Sequence, residues 1–355
     1  MMWSGCGGHD FWTTQNSSTT TNPTGATPKF VYAANNNGGG SGSISAYTVN
    51  SNNGSLTATA SSPFSAGTGT VAVGADSAGK LVYAANADGT VSGYTVNRTD
   101  GTLTAVSGSP FAAGTTPVWV AVDPGARFVY VANGGSSSIS GFAVNSSTGA
   151  LTNTGQTITL AAAPVRAVVD PTGRFLYVSL GTGGTALFRI NTDGTVVSVR
   201  TVPASPCASS VAVAVDPNSR FAFVADGAGG ICNYAINASS GDLSLINASV
   251  IASGAPVAVV SGANSKFVFA ASKSSNQLFG FVENADGTLT AMSGSPFTVG
   301  TSPVDVNIDP SGSFVYVTNS GSNSISIFSI TSGNSLSSAG TSTAGTGPVS
   351  VVVTQ

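Results

Sequence analysis

Apolar and polar residues alternate along most of this chain in short bursts, each ended by Asn, Asp, Gly or Pro. A period of two marks a β-strand with unlike faces, and the punctuation is that of turns. One burst recurs seven times, as KFVYAAN (29–35), KLVYAAN (80–86), RFVYVAN (127–133), RFLYVSL (174–180), RFAFVAD (220–226), KFVFAAS (266–272) and SFVYVTN (313–319). Successive copies begin 46 to 51 residues apart. The third repeat, residues 117–152, shows the whole unit and predicts four strands. Strand A is Val118–Val122, closed by Asp123 and Pro124, whose ring removes a ladder donor. Strand B is Phe128–Ala132, strand C is Ile139–Val144, and strand D begins at Leu151, with Asn and Gly in the turns between them.

A period of roughly 40–50 residues built from four short strands predicts an all-β, seven-bladed β-propeller with four-stranded antiparallel blades, spanning residues 28–355. Residue sizes agree with a radial wedge. Strand A is small and branched, whereas strands B and C carry Phe128, Tyr130 and Phe142, or Phe175, Tyr177 and Phe188. Blades converge at the axis, so close packing requires the smaller side chains there. The first repeat lacks a strand A, and the chain ends on an unpartnered one, GPVSVVVTQ (347–355). That last strand is expected to pair with Phe30–Ala34 and remove the open edge. The C–D connections, such as NRTDGTL and NADGTL, need positive φ at Gly and lack the distal acid of a calcium loop. No metal or cofactor is expected.

Charged residues are only 7% of the chain and mean hydropathy is +0.26, yet no apolar run approaches the ~18 residues of a membrane span. Sheets sandwiched between sheets accommodate that low charge. A net charge of −3 with 11 Lys and Arg excludes a nucleic-acid partner, which would need a basic stripe. Six of those cations, Lys29, Lys80, Arg127, Arg174, Arg220 and Lys266, open strand B in six repeats and so spread around the ring as surface residues. Residues 1–27 lack apolar periodicity and predict a disordered Ser/Thr-rich tether. Within it, Ser4-Gly5-Cys6 resembles the end of a lipoprotein signal, which would make Cys6 the lipidation site and place the protein outside the cytoplasm. The apolar segment of such a signal is absent, which points to a start upstream; the other reading is a chance Cys in a low-complexity tail. Membrane contact is expected only through that anchor, and the closed ring is expected to be monomeric.

The phrases PVWVAVDPGARFVYVAN (117–133) and PVDVNIDPSGSFVYVTN (303–319) resemble the seven-bladed propellers of the lactonase family, called 6-phosphogluconolactonase-like. They also resemble the Tyr-Val-Thr-Asn repeat proteins, whose tetrapeptide stands at Tyr316-Val317-Thr318-Asn319. SPF segments at Ser62–Phe64, Ser109–Phe111 and Ser295–Phe297, joining strand D to the next strand A, fit the same family. The resemblance implies lactone opening or cycloisomerisation by His, Arg and Glu side chains at the channel mouth. This chain departs from that pattern. Its one His, His9, lies in the tail, and its one Glu, Glu283, ends a strand C where other repeats carry Val or Ile.

Ligands of propellers usually occupy the face where strand A begins, here called the top face. Residues that break the repeat there are the candidates. Two residues after the strand A Pro, the chain reads Ala72, Trp119, Arg166, Ala212, Ala258, Asp305 and Ser350. Trp119 and Arg166, on adjacent blades, could stack on a sugar or clamp a carboxylate, and Asp305 could act as a base. The alternative is solvated charges beside a space-filling indole. Asp226 and Lys273, at the end of strand B, are weaker ligand candidates, more simply read as a turn cap and an exposed loop residue. Cys207 and Cys232 fall at one rim of blade 5 and suggest a disulfide. Strands A and C are about 9–10 Å apart, so a bridge requires the Cys207 loop to fold inward. Two functions remain. One is an extracytoplasmic scaffold binding a small molecule, glycan or protein on its top face. The other is a lactone hydrolase using Asp305 and Arg166.

Overall fold

The computed structural model describes residues 29–203, 205–250, 254–262, 264 and 266–355; the expected tether and Cys6 lie outside them. The described residues form seven antiparallel sheets. Their inner strands A are Thr70–Ala75, Pro117–Val122, Arg166–Val169, Ser210–Val215, Pro256–Ser261, Pro303–Ile308 and Pro348–Thr354. Each abuts the next, and the last abuts the first, so the strands enclose an axial channel. Closure is as expected. Pro348–Thr354 pairs with strand B of blade 1, Phe30–Asn35, from Phe30 opposite Thr354 to Asn35 opposite Pro348. The Lys29 amide donates to the Thr354 carbonyl at 3.0 Å.

Seven hydrophobic clusters fill the seven gaps between neighbouring blades, so the core is a ring of layers. Strand B supplies its largest fully buried side chains: Tyr32, Tyr83, Tyr130, Tyr177, Phe223, Phe269 and Tyr316. Each Tyr hydroxyl needs a partner when buried. It donates to a C–D loop carbonyl of the next blade, at Gly101, Gly149, Gly194, Gly241 and Gly54 respectively, over 2.7–3.0 Å. Gly101 shows why glycine stands there. Its φ is +77°, and a Cβ would lie 2.3 Å from the Phe30 ring of the preceding blade.

The A–B turns lie on the opposite, basal face. Buried Asp76, Asp123, Asp170, Asp216 and Asp309 accept the amides that open strand B, as Asp170 does from Arg174 and Phe175 at 2.8 and 2.7 Å. The strand-opening cations are more engaged than a plain surface reading implies. Arg127, Arg174, Arg220 and Lys266 each cover the ring of the following Phe at 4.8–5.3 Å.

The outer strands hold one departure from expectation. The Phe64, Phe111 and Phe297 segments are not mere connectors, because each pairs back onto strand C of its own blade and continues a strand D interrupted after three residues. The Ser of each SPF explains the interruption. Its hydroxyl accepts a strand C amide, Ser62 from Ala46, Ser109 from Gly93 and Ser295 from Gly280, at 2.9–3.1 Å. A side chain thereby replaces a ladder carbonyl.

Candidate functional site: the axial channel

The tier holding the candidates is regular around the ring. Ala72, Trp119, Ala212, Ala258, Asp305 and Ser350 each face the penultimate residue of the strand B alongside, directly after a β-bulge, and Arg166 faces Ser179. A bulge re-aims the side chain that follows it. Three of the seven residues then meet. The Arg166 guanidinium, from blade 4, crosses to blade 7, where Nη1 donates to Asp305 Oδ1 at 2.6 Å and Nη2 to the Val304 carbonyl at 2.7 Å. Its Cζ lies 4.3 Å from the Trp119 ring centroid. The second oxygen of Asp305 accepts the Val351 amide at 3.0 Å. Sequence reasoning brought these residues to one tier but treated them as separate ligand groups. The ring radius lets them touch, and they form a bar across the axis.

Each carboxylate oxygen of Asp305 accepts one hydrogen bond, and one face of the Trp119 indole is covered. The ion pair is largely desolvated, with side-chain exposures of 14% for Arg166 and 5% for Asp305. Removing one partner of a buried pair strands the other charge, at a cost on the order of 3–5 kcal/mol. Asp305→Ala is therefore expected to lower urea stability by about that amount, and Arg166→Met with Asp305→Leu together to recover most of it. Loss of less than about 1 kcal/mol in Asp305→Ala would show that the bar is not formed.

Asp226 accepts backbone amides from Ala208 (3.1 Å), Ser209 (2.8 Å) and Ala228 (3.0 Å), so it ties down two loops. Lys273 is exposed beside the channel mouth and is not part of the bar. By holding Ala208 and Ser209, Asp226 also draws the Cys207 loop inward. Cys207 and Cys232 are joined, with Cα atoms 6.3 Å apart, less than two strand spacings and within disulfide reach.

Two features escaped the sequence reading. The first is Asn307, one tier below the bar, where the other strands A carry Gly74, Ala121, Val168, Ala214, Val260 and Val352. The repeat-breaking test finds it once every tier is compared. The second is the setting of Glu283. It replaces an aliphatic core residue and is 7% exposed, 3.2 Å from Arg220 Nη2 across the blade 5–6 gap. Its Oε2 has no hydrogen-bond partner among the described residues. Burial and then the Asp216 carboxylate push its pKa up to about 8, against the opposing pull of Arg220 and the nearby Ser261 hydroxyl.

Charge is sorted between the faces. Among the described residues of the top-face loops, only Asp88, Asp226 and Lys273 are charged, and the two acids are held by backbone amides. The rest are Ser, Thr, Asn, Gly, Ala, Pro and a few apolar residues. No group of His, Cys, Asp and Glu among the described residues could hold a metal ion.

A family model described as Lactonase, 7-bladed beta-propeller matches residues 13–107, 86–206 and 257–353. No curated protein matches the chain. The fold is similar to a proposed 6-phosphogluconolactonase from Bacteroides uniformis, with TM-score 0.81 and 18% identity over 92% of this chain and 99% of that one. It is also similar to the periplasmic gluconolactonase PpgL of Pseudomonas aeruginosa (TM-score 0.76, 18% identity, 92% and 99% covered). A Lactobacillus plantarum protein gives TM-score 0.78 at 18% identity with the same coverage. At such identity the likeness is one of fold.

Proposed function

This chain belongs to the lactonase family of seven-bladed β-propellers, and we propose that it uses that scaffold outside the cytoplasm, tethered through Cys6, to bind an uncharged glycan or peptide on its top face rather than to turn over a lactone. One observation carries the reading: Asp305, the acid of the candidate tier, is buried in an ion pair with Arg166 and also accepts the Val351 amide. A general base must come within hydrogen-bond reach of the proton it removes, and this carboxylate is only 5% exposed beneath a guanidinium. The one His of the chain lies in the tail. The top-face loops instead offer hydroxyls, amides and backbone groups with little charge, which suits many weak hydrogen bonds to a neutral polymer. The periplasmic assignment of PpgL supports the envelope location.

That same similarity favours the second reading, a lactone hydrolase in which substrate displaces Arg166 and frees Asp305. Two readouts test the proposal. A panel of sugar lactones is expected to open at the background rate with wild type and with Asp305→Asn alike. Turnover that vanishes in a folded Asp305→Asn would establish the hydrolase. Palmitate labelling in cells is expected for the full gene and lost in Cys6→Ala; an unlabelled wild type would remove the tether.

A further inference from the structure

The channel below the bar is a well whose upper end carries the Arg166–Asp305 pair. One cavity of about 310 Å³ runs down from Trp119, Arg166 and Asp305, and a second of about 430 Å³ continues it to the basal face. Neither is lined by the residues above the bar, such as Val118, Val165, Val257 and Val304. The entrance lies between Pro124, Pro171, Pro217 and Pro310, and Val is the commonest residue of the wall. The basal cavity alone falls within the roughly 300–1,000 Å³ of small-molecule sites.

Asn307 and Ser261 are the uncharged polar residues that line both cavities, and the Ser261 hydroxyl is buried beside Glu283. The Asn307 Nδ2 donates one N–H to the Val351 carbonyl at 3.2 Å. Its Oδ1 accepts nothing among the described residues, which leaves an acceptor at the wall of both cavities. Asp76 is the one charged residue of the basal lining, and its Oδ1 already accepts the Lys80 and Leu81 amides. An anion would lose its hydration here and meet only the Asp76 carboxylate. We propose that this well binds a small neutral molecule, mostly apolar, with one O–H or N–H donor directed at Asn307 Oδ1, entering from the basal face. The site is separate from the top face and stands whichever reading of that face holds.

The test uses 2-naphthol, naphthalene and 2-naphthoate, titrated into the full chain while valine methyl resonances are followed. Expected are saturable 1:1 shifts of channel methyls by 2-naphthol, binding about ten-fold weaker by naphthalene, and no binding by 2-naphthoate. Asn307→Leu should erase the difference between 2-naphthol and naphthalene, and Val168→Phe should abolish both by filling the well. Asn307→Leu decides the matter if Val168→Phe does not fold. Shifts outside the channel, equal affinity for the anion, undiminished discrimination in Asn307→Leu, or no binding by any probe would overturn the proposal.

Discussion

Deleting residues 348–355 is expected to abolish cooperative folding. Pro348–Thr354 is the inner strand of blade 1, paired along Phe30–Asn35 with one bulge between Pro348 and Ser350. Its Val351 and Val353 belong to the cluster that joins blade 1 to blade 7. Its loss exposes both faces of that gap and the edge of a central strand rich in aromatic and β-branched residues. It also removes the Val351 amide from Asp305, so the bar loses a support at the same stroke. Propeller blades do not bury their faces alone, and the penalty falls on the ring as a whole. Circular dichroism should show a broad, non-cooperative melt for the truncated chain, partly restored by adding a peptide of residues 347–355. A sharp transition within a few degrees of the full-length protein would show that the ring does not depend on the latch.

Stability of the intact protein is expected to fall as pH rises from about 5 to 8. Glu283 titrates near 4.5 when unfolded and at about 8 when folded. Between those values the native state holds a proton that the unfolded state has released, so each rise in pH favours unfolding. Full stabilisation is present below pH 4.5 and lost above 8, a difference on the order of 3–5 kcal/mol. Glu283→Gln cannot titrate and should be flat across this window and more stable than wild type at pH 8. A second decline is expected above pH 10 in both proteins, because burial raises the pKa of Tyr32, Tyr83, Tyr130, Tyr177 and Tyr316. Urea unfolding from pH 5 to 8 measures the first effect. A level wild-type profile would place Glu283 in solvent contact.

Much of this architecture is legible in the residues because turn chemistry repeats. In blade 3 the predicted strands A, B and C differ from Pro117–Val122, Phe128–Asn133 and Ser138–Val144 by one residue at an end. The split outer strands are not legible, because Ser62, Ser109 and Ser295 read as turn residues until their hydroxyls are seen replacing carbonyls. The site divides in the same way. Sequence comparison of one tier found Trp119, Arg166 and Asp305, but a repeat period carries no information about the ring's radius. Their mutual contact depends on that radius. Glu283 is visible as an exception, yet its burial depends on Arg220, 63 residues earlier in a different blade. The Cys207–Cys232 spacing depends on a loop held by Asp226, which strand counting omits.

The reading of the channel rests on a guanidinium held across its axis. The most direct measurement is ¹⁵N NMR of the Arg166 side chain, identified by its absence in Arg166→Lys. With Nη1 on Asp305 and Nη2 on the Val304 carbonyl, two resolved, slowly exchanging Nη resonances are expected, which merge in Asp305→Asn. A single averaged Nη resonance in the wild type, unchanged by Asp305→Asn, would mean that Arg166 is free, the channel open, and Asp305 available for chemistry.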